Sequence, residues 1–194
     1  MCGIVGAARV DAGPIDPAAL ARANAALARR GPDAEGVFLE PGVALGHRRL
    51  SILDLSPAGA QPMHSSDGRY VIVHNGEVYN HAELREELGG PWRGGSDTET
   101  ILAAWARMGP RCLSRMHGMW AFAIWDRAAR TLFAARDRMG VKPFFYHVSP
   151  QRIAFASRPR ALHALLPDLS RALDPQALRL YFEAGYVPTP LSIF

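Results

Sequence analysis

A thiol at Cys2, the amide-glycine pair Asn75-Gly76, the adjacent arginines Arg48-Arg49 and the carboxylate of Asp97 are the groups here most able to act together chemically. If Met1 is removed, as it is where the second residue is small, Cys2 carries a free α-amine. A thiol titrates near ~8.5 and an α-amine near ~7.7–8.0, so one residue supplies both nucleophile and base. The bland alternative is an incidental thiol at an idle chain end. In "VIVHNGEVYNH" the Asn75-Gly76 pair is the strongest short signal for a type I′ hairpin. The same pair is suited to donate from the Asn75 amide and the Gly76 N–H to an oxyanion. Neighbouring residues of a strand point to opposite faces, so one arginine of "GHRRLSILDL" at most faces a given site. Its fork would suit a ligand carboxylate; a solvated surface pair is the other reading. Asp97, in "GGSDTET", either complements the start of a helix or holds a ligand ammonium.

Other chemistries find less support. The seven histidines show no zinc-type spacing with cysteine or glutamate, so no metal site is expected. His47, His74 and His81 are candidates to assist a cysteine hydrolase, but none can be paired with Cys2 from sequence. "GGPWRGGSD" lacks the lysine and strand–loop–helix frame of a phosphate loop and reads as a flexible loop.

The elements that must position these groups are punctuated clearly. "CGIVGAARV" reads as a buried first strand. Asp16 and Pro17 open a helix that Gly31-Pro32 ends. Strand-like segments follow at "GVALGHRRLSILDL", "RYVIVHNGEVYN", "MWAFAIWD", "RTLFAARD", "PFFYHVS" and "RIAFAS", several joined by short turns that favour antiparallel pairing. Two helices interrupt them, with capping boxes expected at Asn80/Glu83 and Ser96/Glu99. This order predicts an α+β fold of antiparallel sheets covered by helices. Near Ala161 the pattern turns helical, and residues from about 165 read as a connector.

The 194 residues are 48% hydrophobic and 21% charged, an ordinary balance for one large domain. The net charge of +4 is scattered arginine rather than a basic stripe, which argues against nucleic acid. The longest wholly apolar run, Met119 to Trp125, is too short to cross a bilayer. Two distant cysteines and no signal-peptide pattern suit a reducing cytoplasm.

Seven segments in order, "MCGIVGA", "RGPDAEG", "GHRRLSILDLSPAGAQPM", "VHNGEVYNHAELREEL", "GSDTETIL", "GMWAFAIWD" and "RDRMGVKPFFY", resemble the glutamine-hydrolysing domain of asparagine synthetases. Those are class II glutamine amidotransferases. The glucosamine-phosphate synthase and phosphoribosyl amidotransferase branches share the cysteine start but differ around "RGPD" and "HNGEVYNH". The resemblance runs to about residue 165, and "GYVPTPLSIF" is similar to the family's link into a second domain.

The resemblance implies a four-layer αββα sandwich of the N-terminal-nucleophile hydrolase type over residues 1–164, with 165–194 leading into a synthetase domain. It implies that Cys2 forms a thioester with L-glutamine and releases ammonia, its α-amine shuttling the proton. Asn75 and Gly76 would form the oxyanion hole. Arg49 would grip the α-carboxylate, the backbone of Leu50, Ser51, Ile52 and Leu53 would wall the pocket, and Asp97 with Glu77 would hold the α-ammonium. No cofactor is implied for this half. ATP and magnesium belong to a synthetase region whose "SGGxDS"-type loop is not among these residues. The implied partner is that domain or a separate ligase subunit, and a homodimer is a further candidate assembly. Two other readings stay open: a silent amidotransferase-like interaction module, and a domain serving a different amide-forming ligase. Family members usually carry glutamate where this chain has Arg158, which bears on coupling to a second domain. With Met1 in place the α-amine is tied up and the site should be idle.

Overall fold

The computed structural model describes residues 1–194. Strand β1 (Gly3–Arg9) lies in the middle of a five-stranded sheet ordered β2-β3-β1-β9-β8, built with β2 (Ala34–Glu40), β3 (Val43–Arg49), β8 (Phe145–Val148) and β9 (Arg152–Ala156). A second sheet is ordered β4-β5-β6-β7, from β4 (Met63–His64), β5 (Tyr70–Val78), β6 (Gly118–Asp126) and β7 (Thr131–Arg136). Every strand pairing is antiparallel.

Three apolar clusters define four layers. Between the sheets, Ile4, Val43, Leu45 and Phe155 from the first meet Val71, Val73, Ala121 and Trp125 from the second. Outside the first sheet, α1 (Pro17–Ala25) and α4 (Pro159–Leu165) cover Val5, Ala7, Ala154 and Ala156 with Leu20, Ala23 and Leu162. Outside the second, α2 (His81–Leu88) and α3 (Asp97–Met108) pack Leu84, Ile101 and Leu102 on Ile72, Trp120 and Phe122. The alternation within each strand therefore decides what faces the interior: even residues of β1 and odd residues of β3, β5 and β6 line the space between the sheets. The expected α+β sandwich is the observed one. A fifth helix, α5 (Pro175–Ala184), follows; Asp174 caps it through the N–H groups of Gln176 and Ala177.

Local expectations fare unevenly. Asp16 does cap α1, accepting from Ala18 N and Ala19 N. Ser96 caps α3 through Thr98 N, but Glu99 does not close the box. Its carboxylate instead accepts from Arg93 N and Gly94 N and pairs with Arg85. Asn80 makes no cap; its amide ties Arg115 O and His117 N across to the next segment. The glycine-rich stretch before α3 is not a free loop. Arg85 donates to Gly94 O and Ser96 O, and Gly95 N donates to Asp54. No helix is long and apolar enough to cross a membrane.

Candidate active site

The sheets open at one end into a cavity of about 150 Å³ lined by Cys2, Arg49, Asn75, Glu77, Asp97 and Lys142 among others. This is below the roughly 300 Å³ at which drug-sized ligand pockets begin, so a small metabolite is the natural occupant. The strand register explains the convergence. Gly3 pairs with Arg48 across β1 and β3, so one step outward Cys2 stands opposite Arg49, both on the inter-sheet face. Asn75 and Glu77 reach the same space from β5, with Met119 beside them on β6. Arg48 turns the other way, to Glu35 and the carbonyl of Asn24. The expectation that one arginine of the pair faces the site therefore falls on Arg49.

Cys2 Sγ accepts from Leu50 N at 3.3 Å and lies 3.6 Å from Leu50 O. Burial raises its pKa, against the Leu50 hydrogen bond and the positive charges of the N-terminus and Arg49. The thiol is thus protonated at neutral pH and needs a base. No imidazole touches the sulfur. His47 binds His74 O, and burial drives its pKa down to about 3. His74 contacts Thr98 Oγ1 and is likewise pushed down by burial. Both are neutral. The α-amine of the chain is the nearby basic group, lowered from its ordinary range mainly by burial. Arg30 fixes the start of the chain, donating from Nε to Cys2 O at 2.8 Å.

The Asn75-Gly76 pair is not a turn. Both residues lie in β5, where Asn75 opposes Ala121 and Gly76 opposes Trp120. Pairing on β6 overrides the local hairpin preference. The donors are exposed by a different device: β4 is two residues long and leaves the outer edge of β5 unpaired beyond Ile72. Along that edge Gln61 Oε1 takes His74 N at 2.6 Å, and Asp97 Oδ2 takes Val78 N at 2.9 Å. By ladder alternation Gly76 N points to the same edge between them, and no side chain takes it. A Cβ on residue 76 would meet Trp120 Cα at 2.5 Å, so only glycine fits. The Asn75 side chain is 1% exposed, and neither its nitrogen nor its oxygen has a partner.

Arg49 is held by its own downstream loop, donating to Ser56 O at 2.9 Å and to Asp54 O. Its remaining donors are left for the cavity. A methyl group on Gly59 would run into Arg49 Nη2. Asp97 is buried at the first position of α3, with Oδ1 unpartnered. It stands at the helix start, as one of its two readings had it, and it also takes Val78 N at the strand edge while lining the cavity. Leu50, Ile52 and Leu53 line the wall, but Ser51 does not. The chain bends there, and Ser51 N is taken by Asp33 at 2.7 Å.

Among the wall residues that escaped sequence reading are Gln61, Thr98 and Lys142. "AGAQPM" and "VKPFF" were visible as segments, but only the unpaired edge of β5 gives Gln61 a task. No cluster of histidine, cysteine, aspartate and glutamate is arranged to hold a metal ion.

Comparison with known proteins agrees with this geometry. A family model described as glutamine amidotransferase domain matches residues 1–194. A protein of Methanocaldococcus jannaschii named putative glutamine-hydrolyzing asparagine synthetase 2 is 37% identical over 213 residues, covering 100% of this chain and 41% of that protein. Glutamine-hydrolyzing asparagine synthetase 1 of Bacillus subtilis is 38% identical over 173 residues, covering 88% of this chain and 27% of that one. A Gibberella zeae protein named amidase chry2 is 37% identical, covering 84% and 26%. The chain thus spans less than half the length of these relatives. Among solved structures, glutamine phosphoribosylpyrophosphate amidotransferase from B. subtilis shares the fold at a TM-score of 0.69 and 21% identity, over 84% of this chain and 43% of that one.

Proposed function

The chain belongs to the glutamine amidotransferase domain family, with the four-layer N-terminal-nucleophile fold and relatives named as glutamine-hydrolysing asparagine synthetases, and from that premise we propose that it hydrolyses L-glutamine to L-glutamate and ammonia at Cys2. The observation that carries this reading is Asn75, a buried amide with no partner beside the sulfur nucleophile. An unpaired buried polar group costs about 1–3 kcal/mol, which a ligand oxygen would offset.

In the trimmed chain the Cys2 α-amine takes the thiol proton as Sγ bonds to the side-chain carbonyl carbon of glutamine. Negative charge develops on the carbonyl oxygen, within reach of the Asn75 amide and the Gly76 N–H. The intermediate collapses, the C–N bond breaks, and the α-ammonium returns a proton to the departing ammonia. Water then attacks the thioester, giving its proton to the amine, and glutamate leaves with the thiol restored. Arg49 would hold the α-carboxylate through its free donors, and Asp97 Oδ1 with Glu77 the α-ammonium. Reading both charged ends selects the free amino acid over a peptide.

This half of the reaction uses no cofactor. By the same reading the ammonia passes to an asparagine-synthetase-type ligase region, which would hold ATP and magnesium, working in the cytoplasm. The test is ammonia release from glutamine by the trimmed chain. Cys2→Ala should abolish it, and Arg49→Ala should act mainly through KM. No glutamate formation with the ligase region supplied would defeat the reading.

A further inference from the structure

The cavity holds one cation that the mechanism above does not use. Lys142 is 5% exposed, and its ammonium makes a single polar contact, donating to Met1 Sδ at 3.3 Å. The acid of the same turn forms no ion pair with it. Asp137 spends Oδ1 on Met139 N and Val141 N, and Oδ2 on Trp120 N and Lys142 N. Arg136 holds the same turn from outside, donating to Lys142 O and Gly140 O. Two charged residues are thus devoted to fixing the backbone that delivers an unpaired, buried ammonium. Burying an ammonium without a counter-charge is costly, so its retention in the cavity calls for a role.

That role lies at the start of the chain. On the reading proposed above, Met1 is trimmed, and Lys142 then keeps no polar contact in the cavity that it shares with Cys2. We propose that Lys142 is a positioning residue whose fixed positive charge keeps the Cys2 α-amine unprotonated at neutral pH, ready to accept the thiol proton.

The charges facing this amine come from every surrounding element. Arg30 and Asp33 approach from the segment after α1, Arg49 from β3, Glu77 from β5, Asp97 from α3 and Lys142 from the turn after β7. The three carboxylates favour a protonated amine. Arg30, Arg49 and Lys142 oppose them; Arg30 is anchored at Cys2 O and Arg49 at its own downstream loop, which leaves Lys142 as the cation without another protein partner once Met1 is gone. In the untrimmed chain the amine is lowered by burial first, with Arg30 and Lys142 adding to the effect.

The test uses the trimmed chain carrying Lys142→Met or Lys142→Arg. It follows glutamate release against pH and titrates the Cys2 α-amine by NMR after 15N-cysteine labelling. A cation lowers a neighbouring amine's pKa, so removing it should move the amine titration and the acid limb of kcat/KM upward by about one pH unit. Activity at alkaline pH should return close to the parent, and Lys142→Arg should keep the parent profile. If Lys142→Met does not fold, Lys142→Gln takes its place. An amine titration and acid limb that stay put in the neutral variant overturn the inference, whatever happens to the rate. A trimmed parent that releases no glutamate instead overturns the glutaminase reading, and the NMR titration alone then decides the role of Lys142.

Discussion

Asn75 is where stability and chemistry pull against each other. Its amide is enclosed without a hydrogen-bond partner, so the fold carries the desolvation cost of a group that it does not itself employ. Asn75→Leu should therefore leave the thermal midpoint unchanged or raise it, while kcat for glutamate release falls by roughly 10²–10³. Paired melting curves and turnover numbers check both halves. Arg158 sets a second opposition. Arg30 Nη2 is buried without a partner, and Arg158 adds repulsion to the burial that already lowers the Arg30 pKa. Arg158→Glu should supply the missing counter-charge and stabilise the chain by up to about 1 kcal/mol, read as a higher thermal midpoint. A melt that does not rise would show that the two guanidiniums are not coupled.

At the scale of elements, the loop leaving β3 acts as a clamp for Arg49, and Gly59 gives the guanidinium its space. Gly59→Ala should raise KM for glutamine several-fold with little change in kcat, in a chain whose circular dichroism is unaltered. The strand pair β3 and β5 carries a different liability. His47 is held neutral with a pKa of about 3 against 6.5 when unfolded, so the stability it contributes is complete above pH 6.5 and is lost as pH falls toward 3. Between pH 7 and 5 this one imidazole should cost about 2 kcal/mol. Urea unfolding at the two pH values measures it, and His47→Gln should remove that share of the dependence. Elements were legible in sequence where punctuation and periodicity agreed, as at Asp16-Pro17 and in the buried runs of β1 and β6. Asn75-Gly76 misled because its turn preference is local, whereas β6 pairs along the whole of β5. The edge strand β2 was missed because apolar and polar residues do not alternate in "AEGVFLE", although their burial in the folded strand does. Asn80 failed as a cap because its amide was claimed by a segment 35 residues away.

For the molecule as a whole, four layers follow from two sheets each apolar on both faces, and that much was readable from the number of buried strands and the helices between them. The order of strands was not, since β1 sits between β3 and β9, which lie far apart in sequence. The site was legible as residue types and ordered motifs, yet Ser51 had to be taken out of the wall and Lys142 put in. The central place of β1 also carries a consequence for biogenesis. Its pairing with β9 requires residues 152–156, made near the end of these 194. At about 5–20 residues per second, the nascent amino terminus stays unsheltered for roughly ten seconds or more. Once that last partner docks, Arg30 holds the carbonyl of Cys2 and Leu50 N holds its sulfur, while Met1 stays 55% exposed. The residue that blocks the amine is therefore left open to trimming after folding as well as during synthesis, and arming the thiol does not depend on catching the chain at the ribosome.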